Sequence, residues 1–159
     1  ETAKRYGFKN SYPLFFIKKT SAQALKANMR IVGATEHAVV FYRDKLPKFN
    51  NDWQQAETGK KMILNWFEWK RDSVKDVPKI HPTQKPVNLL EQLIKTFTDP
   101  GDVVIDPCAG SGTTLLAAKK NRRHSYGFEI YKPFYKAATE QMLILGEEKE
   151  IQTDIFDYI

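Results

Sequence analysis

Residues 103–114, reading VVIDPCAGSGTT, constrain this chain more than any other stretch. A short apolar run ends in an acid, turns through glycines at 110 and 112, and enters a run of helix formers. That order predicts a strand, a tight loop and a helix start. Glycine removes the side chain that would hold a ligand away from the backbone, and the N–H groups at a helix N-terminus attract an anion. The pattern suits a nucleotide-type cofactor loop, and taken alone it equally suits a tight turn that uses glycine for packing. Residue types narrow the ligand. A phosphate-binding loop needs a Lys followed by Ser or Thr after its last glycine, whereas Gly112 is followed by Thr113 and Thr114. A dinucleotide site needs a third glycine three residues after Gly112, where Leu115 stands.

The flanking segments sharpen the reading. Upstream, residues 80–86 read IHPTQKP and lead into a helix over 87–97, with Val87, Leu90, Ile94 and Phe97 at helical spacing. Downstream, a helix over 113–121 precedes SYGFEI at 125–130, which predicts a second strand with Glu129 at its end. A carboxylate there can accept hydrogen bonds from both hydroxyls of a ribose. By itself it is also an ordinary solvated acid at a strand end.

In series, HPTQKP, DPCAGSGTT and GFEI resemble the C-terminal part of the amino-methylating DNA methyltransferases, over residues 12–145 and most closely over 81–129. The motif order resembles the β-type of that family, with the catalytic segment first, target recognition next and cofactor segments last. The resemblance implies an α/β, Rossmann-like fold dependent on S-adenosylmethionine, and methyl transfer to an exocyclic amine of double-stranded DNA, adenine N6 first and cytosine N4 second. It implies cofactor contacts from His81, Thr83 and Lys85, from Asp106, Pro107, Ala109, Gly110, Ser111, Gly112, Thr113 and Thr114, and from Glu129 and Asp154. Asp106 would face the methionine ammonium or sulfonium, and Asp154 the adenine. Asp106 also reads as a helix-capping carboxylate, and HPTQKP as no more than a helix start with Pro86 at its first position.

Charge separates the two halves. Residues 1–85 hold 17 Lys+Arg against 8 Asp+Glu, and residues 86–159 hold 8 against 11. The basic half is the expected nucleic-acid side, with Lys18, Lys19, Lys60, Lys61, Lys70 and Arg71 as candidate phosphate contacts. Trp66, Phe67 and Trp69 interleave with that charge, and core packing explains them as well as base stacking does. Apolar runs fall far short of the roughly 20 residues of a membrane span. The single Cys108 reads as a small buried residue of the loop rather than a nucleophile, in a reducing cytoplasm, in a bacterial, phage or prophage setting. His37, His81 and Cys108 lack metal-ligand spacing, so no metal site is expected.

Three parts of the chain are expected: a strand-loop-strand unit over 1–43, with strands at 13–18 and 38–43; a variable, target-recognition-like segment over 44–80, with a helix over 51–70; and the cofactor part over 81–159, with a helix over 131–145 and a third strand at 151–155. The sequence holds no Asp/Asn/Ser-Pro-Pro-aromatic segment. Members of the resembled family use such a segment to hydrogen-bond the target amine and stack on a flipped base. In β-type order it would lie N-terminal to Glu1, on a missing N-terminal part or a second copy. The family's strand order, 3-2-1-4-5-7-6, would then leave this chain without the two central strands. Two separate strand groups are the expected result.

Overall fold

Alternation along residues 10–18 builds the first sheet. Leu14 and Phe16 are buried with Tyr12 on one face, while Pro13 and Ile17 point the other way. A computed structural model describes residues 1–21 and 28–146. After a short helix α1 (Thr2–Arg5), strand β1 (Asn10–Lys18) runs antiparallel to β2 (Thr35–Tyr42), with Asn10 opposite Tyr42 and Ile17 opposite Thr35. It also runs parallel to β3 (Trp66–Trp69), so the order is β2-β1-β3. The expected strands at 13–18 and 38–43 are therefore present and begin a few residues earlier.

The expected helix over 51–70 is formed only in its first part. Helix α2 (Asp52–Thr58) stops at Gly59, whose φ of +73° is left-handed, and residues 66–69 pair as β3 instead. Tertiary pairing overrides the helical appearance of WFEW because alternate positions find a sheet: Phe67 is buried against Phe16, and Trp69 packs on the same cluster.

Helix α3 (Val87–Phe97) follows the HPTQKP turn. Pro86 brings an extended ψ of 137° and the Val87 N–H donates to both carboxylate oxygens of Asp72, at 3.2 and 3.0 Å. The helix carries two apolar stripes. Val87, Leu90 and Ile94 pack with Leu116, Ala117, Val104 and Met142, whereas Leu89, Leu93 and Phe97 pack with Leu14, Phe16 and Phe67. Phe97 thus belongs to the second stripe, although its spacing from Ile94 suits the first. At its C-terminal end, the Arg123 guanidinium donates to the Thr98 hydroxyl at 2.9 Å, to the Thr98 carbonyl and to the Asn121 carbonyl.

The second sheet is two parallel strands, β4 (Val103–Asp106) and β5 (His124–Gly127), joined by α4 (Thr113–Lys120). The two sheets are not hydrogen-bonded to each other, as the expected separation into two strand groups required. Residues 131–145 form an irregular helix: α5 (Lys132–Ala137), one π turn (Ala138–Met142) and a 3-10 turn (Leu143–Gly146). Asp154 and the expected strand at 151–155 lie outside the described residues. Among those described, no helix is long and apolar enough to cross a membrane.

Among the described residues, both sheets leave one apolar face uncovered. Val103, Ile105, Tyr126 and Phe128 are each more than half exposed on the parallel pair, and Val39, Phe41 and Trp66 stand out from the other sheet. Parallel strands are ordinarily covered on both faces.

Leu89, 1% exposed, is the link from α3 to the first sheet. Replacing it with Ala should cost about 2–5 kcal/mol in urea unfolding, by lost burial plus the cavity left behind.

Candidate functional site

The loop between β4 and α4 is ordered by its own hydrogen bonds. The Cys108 N–H donates to Asp106 Oδ1 at 3.0 Å, and the Gly112 N–H to the Ala109 carbonyl at 2.8 Å. Past β5, the Phe128 N–H donates to the Asp106 carbonyl and the Ala109 N–H to the Phe128 carbonyl, both at 2.9 Å. The strand pairing is thereby carried into the loop. Asp106 does cap a turn, but that of the loop itself rather than helix α4.

Gly112 is the N-cap of α4 with φ +78°, and a Cβ there would lie 3.3 Å from the Ala138 Cβ. Only glycine takes that backbone without strain. At Gly127 the reason differs: a Cβ would fall 2.7 Å from Leu115 Cδ1 and 3.0 Å from the Ala109 Cβ, so the end of β5 lies directly under the loop. Ser111 and Thr113 are buried with their hydroxyl oxygens 3.4 Å apart, while Asp106 is half-buried and Pro107 is exposed; Cys108 is exposed as well, not buried as expected, because it sits on the outer turn of the loop.

Glu129 lies two residues beyond β5. One carboxylate oxygen accepts the Gly110 N–H at 2.9 Å, and the other accepts the Tyr131 N–H at 2.7 Å. It therefore ties the glycine loop to the start of α5, a contact that its position after a strand does not reveal.

The HPTQKP turn is stapled by Gln84. Its side-chain oxygen accepts the N–H groups of Ile80 and His81 at 3.0 and 3.4 Å, while its amide donates to the Pro78 carbonyl at 3.0 Å. The Thr83 N–H donates to His81 Nδ1 at 3.2 Å, with the Thr83 hydroxyl 3.0 Å from the same nitrogen. The His81 ring meets Phe134 edge to face at 4.3 Å between centroids, and His81 Cδ2 lies 3.8 Å from where a Gly110 Cβ would stand. His81 therefore joins the glycine loop. Lys85 turns the other way: its ammonium pairs with Glu36 at 3.0 Å and lies 5.2 Å from the Trp69 ring centroid.

On that other side is a cleft of about 640 Å³, lined by Lys19, Trp69, Lys70, Arg71, Lys79 and Thr83 among others. The candidate phosphate contacts fall into distinct environments. Lys18 is largely enclosed at the cleft wall, paired with Glu36 and 4.4 Å from the Trp69 centroid, so its charge is engaged within the protein's own ion pair. Lys19 pairs with Glu68 at 3.0 Å but is 85% exposed. The side chains of Lys60, Lys61, Lys70 and Arg71 are exposed and make no ion pair among the described residues. Sequence reasoning missed Glu36, Trp69 as a cation platform, and Lys79. Only tertiary pairing brings Glu36, at the start of β2, to Lys85.

Burial opposes ionisation of Glu36, yet the hydrogen bonds and charges of Lys18 and Lys85 outweigh it and hold its pKa below the ordinary 4.5. With the folded value below the unfolded one, Glu36 contributes stability above the ordinary value and loses it as pH falls through the lowered one. Acid titration of stability should therefore show a shallower loss in Glu36→Gln than in the wild type.

Comparison with known proteins then places the chain. A family model described as DNA methylase matches residues 5–140. The type II methyltransferase M.HindIII of Haemophilus influenzae is 48% identical over 69 residues, 43% of this chain and 21% of that protein. Three curated relatives are matched over 27%, 19% and 21% of their lengths, so the alignments span a quarter or less of most of them. Among solved structures, that of M1.HpyAVI in complex with SAM superposes with a TM-score of 0.67 at 27% identity, covering 86% of this chain and 64% of that one. The cytosine-N4-specific PvuII DNA methyltransferase gives 0.68 at 21% identity, over 87% of this chain and 51% of that one, a likeness of fold. With its three motifs, its glycine loop and its divided sheet, the chain belongs to the DNA methylase family of N6- and N4-type amino-methyltransferases.

Proposed function

We propose that this chain supplies the cofactor-binding part, and a share of the DNA-binding surface, of an S-adenosylmethionine-dependent DNA methyltransferase. The observation that carries the reading is the meeting of the HPTQKP turn with the glycine loop, where His81 packs on Phe134 beside Gly110. Two segments some 30 residues apart thus converge on the one loop whose residue types suit a cofactor without a pyrophosphate. A SAM complex of a relative at 27% identity lends further support.

In this reading Asp106 and the backbone from Gly110 to Thr114 hold the amino acid end of the cofactor. Glu129, fixed at both oxygens by backbone N–H groups, turns its remaining lone pairs to the ribose. The cofactor supplies an electrophilic methyl group on sulfonium, and these residues bind and orient it. Lys19, Lys70, Arg71 and Lys79 around the cleft, with Lys60 and Lys61 beyond, meet the phosphate backbone. Lys18 is reassigned to holding the cleft together, because its ammonium is paired with Glu36.

The segment that would activate the target amine is absent from this sequence, and the bare faces at Ile105 and Tyr126, and at Phe41 and Trp66, are where further polypeptide would pack. The acceptor we assign is adenine N6. Cytosine N4 is the second reading, carried by the likeness to the PvuII enzyme. Tritiated-methyl transfer to duplex DNA, followed by nucleoside analysis, should give labelled N6-methyladenine with the complete protein and no label with this chain alone. Labelled N4-methylcytosine would move the assignment, and absence of label with the complete protein would end it.

Glu129→Ala removes two ribose contacts and releases the Gly110 N–H. Calorimetry should show S-adenosylmethionine binding weakened by about 1–3 kcal/mol, and unchanged affinity would take Glu129 out of the site.

A further inference from the structure

Four segments distant in sequence end at one carboxylate. Lys18 closes β1, Glu36 is the second residue of β2, Trp69 closes β3, and Lys85 belongs to the turn before α3. Glu36 Oε1 takes the Lys18 ammonium, Glu36 Oε2 takes that of Lys85 at 3.0 Å, and both ammoniums lie near the Trp69 ring, at 4.4 and 5.2 Å from its centroid. Glu36 is about one-third exposed, so the cluster is only partly screened by water. Two cations on one anion leave a single net positive charge at the cleft wall.

The far side of the same turn is His81, 3.8 Å from the Gly110 Cβ position. The turn therefore stands between the basic cleft and the glycine loop, and Lys85 is its ion-paired anchor to the first sheet. A lysine that holds a carboxylate cannot also hold a phosphate at full strength.

We propose that Glu36 is a positioning residue with two effects of opposite sign: it anchors the HPTQKP turn so that His81 is presented to the cofactor loop, and it keeps Lys18 and Lys85 from acting as phosphate contacts. The proposal rests on the methyltransferase reading above. The two ligands separate it from a merely structural role. Loosened folding weakens both, whereas release of the clamp weakens one and strengthens the other.

The test compares the complete wild-type protein with Glu36→Gln, which keeps the shape and removes the charge. Wild-type binding of S-adenosylmethionine by calorimetry checks the underlying reading first. If it fails there, the function falls rather than the clamp. In Glu36→Gln, cofactor affinity should drop about tenfold, the worth of one charge-assisted hydrogen bond. Duplex DNA should bind more tightly, with the double-logarithmic salt slope steeper by roughly 0.9 for each ammonium released. Lys85→Met approaches the clamp from the turn without altering β2, and guards against a Glu36 variant that fails to fold. It should weaken the cofactor equally and leave the salt slope unchanged or shallower, and the double variant should bind cofactor no worse than either single one. Unchanged cofactor affinity in both variants, or parallel weakening of cofactor and DNA in Glu36→Gln, overturns the proposal.

Discussion

Everything in this chain hangs on the two-sided burial of helix α3. Eleven residues, Val87–Phe97, present one apolar stripe to the core under β4 and α4 and another to the core under β1 and β3. The two sheets are not hydrogen-bonded to each other, so the burial of Leu89 and Ile94 on opposite stripes does what a continuous ladder does in a closed sheet. At about 25 cal/mol per Å² of apolar surface removed from water, a fully buried aliphatic side chain contributes about 1.5–3 kcal/mol. Polar contacts fix the helix at both ends, through Asp72 at Val87 and Arg123 at Thr98.

That placement decides where chemistry can occur. The turn entering α3 is held by Gln84 and Lys85, and the strand after α3 ends in the glycine loop. The helix thus spaces two potential half-sites, the loop at Asp106–Glu129 and the cleft at Trp69–Arg71. Near the loop the protein spends its carboxylates on backbone N–H groups, Asp106 on Cys108 and Glu129 on Gly110 and Tyr131. Such bonds fix a backbone shape before any ligand arrives, which lowers the ordering cost of binding. Around the cleft, Lys70, Arg71 and Lys79 make no ion pair among the described residues, whereas Glu36 and Glu68 take up Lys18, Lys85 and Lys19.

The bare sheet faces follow from the same architecture. A strand alternates its side chains, so covering one face with α3 and α4 leaves Val103, Ile105 and Tyr126, or Val39 and Phe41, on the other. Apolar residues at these positions are what a sheet buried on both sides needs.

Local pattern determined much of this chain. The strand, loop and helix of 103–120, the helix at 87–97 and the first two strands were legible because each rests on short-range periodicity and on punctuation by Gly and Pro. The order of the three motifs carried the family for the same reason, since each motif is contiguous. Tertiary structure decided the rest. Residues 66–69 became a strand because β1 offered an edge, and Phe97 joined the second stripe because the first sheet lay there. Glu129 proved to bind backbone N–H groups, and Lys18 and Lys85, alike as lysines in the sequence with Lys70, proved to share the carboxylate of a residue 18 positions from one and 49 from the other. A charge is legible in a sequence, but its partner is not, because pairing across strands depends on a register that only the folded sheet sets.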